Sequence, residues 1–142
     1  MERKNRLHIR DLIDGLCGNM TDSDGVCFFI SDEISDTGFI MKTVLNLMNK
    51  GCTAFYFLGN HKGIWYKTAG DLVDQSGLEC QELEIFDSMD DMAEKAAGFL
   101  NRGMDVYLFG DSRKNCSIAA DKIREREVHF SFHIGSLINS ME

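Results

Sequence analysis

The sequence predicts an α/β fold: a three-layer, Rossmann-like sandwich whose five-stranded, mostly parallel sheet has helices on both faces. Three observations point there. Short apolar runs alternate with segments of helical periodicity, the pattern of strand–helix–strand crossovers and therefore of a parallel sheet. Three runs (26–31, 52–58 and 105–109) are apolar almost throughout, as strands covered on both faces are. The segments are separated by Gly, Asn, Asp and Ser, in a chain with 13 glycines and no proline.

Taken in order, residues 6–17 read as a helix, because Ile9, Leu12, Ile13 and Leu16 follow i, i+3, i+4, i+7 spacing. A polar connector over 18–25 leads into the first strand, 26–31. Ser35, Asp36 or Thr37 then supplies an N-cap oxygen for a helix whose apolar face is Ile40, Met41, Val44, Leu45 and Met48. That helix closes at Asn49-Lys50-Gly51. The second strand is 52–58. A helix over about 64–75 buries Trp65, Ala69, Leu72 and Val73. The third strand, 79–86, partly alternates, so one of its faces is wet. Asp87-Ser88 precedes a helix with Met89, Met92, Ala93, Ala96 and Leu100 on one face, and Ser88 and Asp91 stand at capping-box-like spacing. The fourth strand, 105–109, runs into Gly110-Asp111-Ser112. A helix over about 115–126 and an alternating last strand, 129–134, complete the pattern, as one domain over 1–142.

The polar content of the strands ranks them. The third and fifth carry polar positions and suit sheet edges, whereas the first, second and fourth suit the centre. This favours the order 3-2-1-4-5 over the flavodoxin-like 2-1-3-4-5, which would put the apolar second strand at an edge. In the favoured order the chain reverses direction between strands one and four, and the crevice at their carboxyl ends is where such sheets collect ligands.

Composition narrows the function classes. The net charge of −8 lies entirely within residues 26–111, which hold 14 acidic and 6 basic side chains. Long-range attraction to nucleic acid is not expected from such a surface, and a basic protein partner is the natural complement. No apolar run approaches the roughly 20 residues that span a bilayer, so no membrane partner is expected. The basic start of the chain is followed by no signal-peptide core, which points to the cytoplasm. The five cysteines are scattered without a C-x-x-C pair and read as reduced residues, three of them in strands. His129 and His133 lie about 13 Å apart along one strand, too far to share a metal ion.

The chemistry-bearing residues gather at the switch point. Asp32, Glu33, Asp36 and Asp111 come from two strand ends, and carboxylate oxygens are the ligands that Mg²⁺ or Mn²⁺ prefers. The same residues also suit helix capping, and no cofactor is required by the sequence. The phosphate-binding glycine patterns of nucleotide sites are absent.

The stretch Asp105-Val106-Tyr107-Leu108-Phe109-Gly110-Asp111-Ser112, with the helix and strand expected to follow it through residue 134, resembles the later part of NYN/PIN-type ribonuclease domains. The resemblance implies the 3-2-1-4-5 order and casts Asp32 and Asp111 as two metal-binding aspartates. The sequence departs from that motif where Arg113 replaces a second aspartate and Lys114 a phenylalanine.

Two function classes follow. One is a small acidic protein-binding module without its own catalysis, immunity- or antitoxin-like or regulatory, with Glu79, Glu82 and Glu84 on a sheet edge meeting a basic partner. The other is a metal-dependent NYN/PIN-like nuclease domain, active or degenerate.

Overall fold

The computed structural model describes residues 6–12 and 25–141, with side chains through residue 127. It contains β1 (Leu7–Asp11), β2 (Val26–Ile30), α1 (Thr37–Asn49), β3 (Ala54–Leu58), α2 (Lys62–Ser76), β4 (Glu82–Ile85), α3 (Met89–Asn101), β5 (Val106–Gly110) and α4 (Arg113–Met141). The five strands form one all-parallel sheet in the order β1-β5-β2-β3-β4.

The α/β class holds, and so do the central places of the three apolar strands and the edge place of the third predicted strand. β2, β3 and β5 are buried at every position, whereas β4, half-buried throughout, forms one edge. Alternation divides the buried side chains between two cores. Phe28, Ile30, Tyr56 and Leu108 pack with Met92, Ala96, Ala120 and Ile123 of α3 and α4. Cys27, Phe29, Phe55, Phe57 and Phe109 pack with Ile40, Val44, Leu47, Trp65 and Ala69 of α1 and α2. The sheet is thus the middle of three layers.

The expected order 3-2-1-4-5 requires a correction at its fifth place. β4, β3, β2 and β5 lie side by side, but the strand beyond β5 is the N-terminal β1, not residues 129–134. Those residues belong to α4, which runs unbroken from Arg113 to Met141. The segment 6–17 was expected to be helical, yet Leu7–Asp11 is a strand. It pairs with β5 in parallel register, Leu7 opposite Val106 and Asp11 opposite Gly110. Val106 N–H donates to the Arg6 carbonyl at 2.8 Å, and Leu12 N–H to the Gly110 carbonyl at 2.8 Å. Tertiary demand overrides local periodicity here: β5, apolar on both faces, needs a second neighbour, and an extended Leu7–Asp11 satisfies its open edge. With that edge filled, the alternation of 129–134 has no ladder to join, and no proline interrupts the helix before it. Residues 13–17 of the expected helix, the 18–24 connector and Cys17 lie outside the described residues.

Local chemistry sets the helix starts. Asp36 caps α1 by accepting the Phe39 N–H at 3.1 Å, and Ser88 caps α3 by accepting the Asp91 N–H at 3.0 Å. Lys122 and Arg126 of α4 both reach Asp90 at the start of α3, at 2.8 and 3.1 Å, and join the two helices of one layer. Among the described residues no helix is long and apolar enough to cross a membrane.

Candidate functional site

The chain reverses direction between β2 and β5, so the carboxyl ends of these strands border the switch point. β2 ends at Ile30, and Ser31, which is buried, begins the loop to α1. Ser31 stays attached to the sheet: its N–H donates to the Leu58 carbonyl at 3.0 Å, and its carbonyl accepts the His61 N–H at 3.0 Å. Gly59 crosses directly beneath it with φ +109°, and a Cβ there would stand 2.5 Å from the Ser31 carbonyl oxygen. Only glycine meets both the left-handed backbone and the close approach.

Beyond Ser31 the backbone leaves the ladder, and three successive N–H groups lose their strand partners. The Asp111 carboxylate, one residue past β5, satisfies all three. One oxygen accepts the Asp32 N–H at 3.0 Å, and the other accepts those of Glu33 and Ile34, each at 2.9 Å. The Ser31 hydroxyl is 3.2 Å from the same carboxylate and 2.8 Å from the Ile34 carbonyl oxygen, which also accepts the Trp65 indole N–H at 3.0 Å. Successive backbone N–H groups in a turn make an anion-binding concavity, and here the anion is the chain's own side chain. Burial pushes the Asp111 carboxyl up, but the hydrogen bonds from Asp32, Glu33, Ile34 and Ser31 outweigh it and hold the group below its ordinary value.

Asp32 is similarly engaged. One oxygen accepts the Asn60 N–H at 3.1 Å, and the other accepts from the side-chain amide of Asn115. Asn115 stands on the first turn of α4, its N–H donating to the Ser112 hydroxyl oxygen at 3.3 Å. Asp32 therefore ties the β2 loop to the loop after β3 and to α4. It also borders a crevice of about 350 Å³ with Asn60, Lys62, Asp87 and Asn115. Lys62 closes one side of that crevice, 2.6 Å from the Asp87 carboxylate and 3.3 Å from the Phe86 carbonyl. The hydrogen bond and charge of Lys62 hold the Asp87 carboxyl below its ordinary value.

The four acids predicted to meet here are thus divided. Asp32 and Asp111 flank one loop and bind internal donors, Asp36 is used as a helix cap, and Glu33 is exposed. Among the described residues, no three His, Cys, Asp or Glu side chains are grouped to hold a metal ion. Asn60 and Asn115 were not anticipated. Asn115 did carry a signal, the cap spacing Ser112-x-x-Asn115, whereas Asn60 contributes only its backbone, which no residue type announces.

Compared with family models, curated proteins and solved structures, the chain finds no match in any of the three. The site is therefore read from its own geometry.

The predicted partner-binding glutamates lie at the far edge of the sheet. Glu82 and Glu84 share one side of β4, and Glu79 is exposed in the segment before it. Lys95 of α3 lies 3.2 Å from Glu82 and 4.0 Å from Glu84. A hydrogen bond shared with Glu82, together with desolvation, raises the Glu84 carboxyl above its ordinary value. The buried Tyr56 hydroxyl makes no hydrogen bond of full geometry and faces Glu82, and burial followed by the Glu82 charge raises the phenol pKa.

Cys27, Cys52 and Cys116 are buried and in no disulfide, as the sequence suggested, and Cys80 is half-buried. Burial, and then the charges of Asp111, Asp11 and Asp32, push Cys116 up to about 11, so it remains a thiol at neutral pH. Trp65 is fully buried against Phe29 and Phe57, a core residue. The side chains of His129 and His133 lie outside those described.

Proposed function

We propose that the protein is a cytoplasmic, non-catalytic binding module that recruits a basic protein partner to the β4 edge of its sheet, in an immunity-like or regulatory role. One observation carries this reading. Glu82 and Glu84 form a carboxylate pair on an edge strand, served among the described residues by one cation, Lys95. The hydrogen bond the pair shares, followed by desolvation, raises the Glu84 carboxyl, and two adjacent carboxylates with one ammonium group carry an excess of negative charge. An arginine or lysine from a partner would relieve it. Among the described residues no strand lies on the outer side of β4, and an extended basic segment can pair with its backbone groups. Glu79 adds a further exposed charge next to the edge. The closure of Asp111 on internal donors favours a scaffold role for the switch point over a metal centre.

Affinity purification of the full chain from its native cell at low salt tests the reading. A basic protein retained stoichiometrically is expected to leave in a salt wash, because exposed charges are screened within about 10 Å at 0.1 M salt. The purified pair is expected to associate more slowly as salt rises. A variant carrying Glu79→Lys, Glu82→Lys and Glu84→Lys is expected to lose the partner. Equal retention by that variant, or no basic protein retained at all, would remove the support for this function.

A further inference from the structure

The opposite edge of the sheet carries a feature that the protein-binding reading does not use. A groove of about 560 Å³ lies between β1 and α4, at the carboxyl ends of β1 and β5. Arg10, Arg113 and Arg124 line it, with Asp11 on the same wall and Ile9 and Ala120 between. Three arginines around one groove are notable in a chain of net charge −8.

Several other cations are spent on nearby carboxylates: Arg6 on Asp105, Lys62 on Asp87, Lys95 on Glu82, and Lys122 and Arg126 on Asp90. Arg113 and Arg124 have no ion pair or side-chain hydrogen bond among the described residues, and both are exposed. Arg10 uses one N–H on the Ile9 carbonyl at 3.0 Å. The spacing of Arg113, Ser117, Ala120 and Arg124 puts all four on one face of α4, with the two arginines about 16 Å apart along the axis. The groove is therefore long, with Arg113 at the strand-end side, Arg124 at the far side and an apolar stretch between them.

We propose that this groove binds a phosphate-bearing small molecule. The guanidinium fork matches phosphate oxygens in a bidentate way and stays charged at all physiological pH values. Arg113 meets the phosphate end, with Arg10 bordering the groove from the β1 edge, Ile9 and Ala120 pack against the organic body, and Arg124 meets the remote end. The lining carries three guanidinium groups against the one Asp11 carboxylate, while Asp111 and Asp32 also act on Cys116 at the strand-end side. The volume falls within the range of small-molecule sites, and ligands of open α/β sheets gather outside the carboxyl ends of the strands.

The test is thermal unfolding of the full chain with inorganic pyrophosphate and, separately, ADP, against adenosine and against sodium sulfate at matched ionic strength. Binding to the folded state alone raises the melting temperature with ligand concentration. At least one phosphate probe is expected to raise it, adenosine and sulfate are not, and an Arg113→Gln/Arg124→Gln variant is expected to lose the rise. Both residues are exposed, so that variant is expected to melt like the unaltered chain without ligand. A Lys42→Gln/Lys67→Gln variant, which removes two exposed cations elsewhere, is expected to keep the full rise. No rise with either probe, an equal rise with sulfate, an equal rise in the arginine variant, or equal loss in the lysine variant would overturn the proposal.

Discussion

Asp111 and Asp32 stand 79 residues apart in the chain, yet the carboxylate of the first accepts the backbone N–H of the second at 3.0 Å. Through this bond and those from Glu33 and Ile34, the residue just past β5 holds the loop that leaves β2. Asp32 then passes the connection on to Asn60 and Asn115. The two aspartates secure the point where the chain reverses direction.

Replacing Asp111 with Asn keeps the shape but presents an amide where an acceptor of three N–H groups is needed. The expected cost is about 2–3 kcal/mol at neutral pH, since hydrogen bonds to a charged acceptor are lost and buried donors go unmet. The folded carboxyl lies below its unfolded value of about 3.9, so its contribution is full above that pH and is lost as pH falls through the folded value. Urea unfolding of both proteins is expected to give a constant difference from about pH 7 to 5 and a shrinking one below about 4. A difference that does not change on acidification would exclude the carboxylate as its source.

Gly59→Ala is expected to destabilise by more than the 1–3 kcal/mol of backbone strain alone, because φ is +109° and the added methyl would meet the Ser31 carbonyl at 2.5 Å. Chemical denaturation measures this. A loss under about 0.5 kcal/mol, the ordinary range for surface changes, would mean that the two loops do not cross as closely as described.

Phe29 stacks centrally, its ring centroid 5.4 Å from that of Phe57, 5.1 Å from Phe109 and 5.0 Å from Trp65. Phe29→Ala is expected to cost about 3–5 kcal/mol. Tyr66→Ala, at a residue 41% exposed on the outside of α2, is expected to stay within about 0.5 kcal/mol. Equal losses at the two positions would contradict the assigned burial.

Millimolar Mg²⁺ or Mn²⁺ is expected to leave the melting temperature unchanged, because the oxygens of Asp32 and Asp111 are already taken by internal donors. A metal-dependent rise that disappears in an Asp32→Asn/Asp111→Asn variant would instead favour the nuclease-like function and argue against a purely structural switch point.

Much of this architecture was legible in the sequence because it rests on local properties. The two-sided apolar runs of β2, β3 and β5 had to be buried, the partial alternation of β4 marked an edge, and Asp36 and Ser88 were at capping distance from their helices. A side chain's burial preference and a cap's reach are set within a few residues, so periodicity and spacing reveal them. The tertiary structure alone decided which segment fills the place beside β5. Residues 6–17 read as a helix and 129–134 as a strand, and the unmet edge of β5 reversed both by taking up Leu7–Asp11. It also decided what the acids do. Asp111 meets the three N–H groups of the β2 loop because strands distant in sequence end side by side, and the chemistry of a carboxylate depends on which donors that juxtaposition supplies.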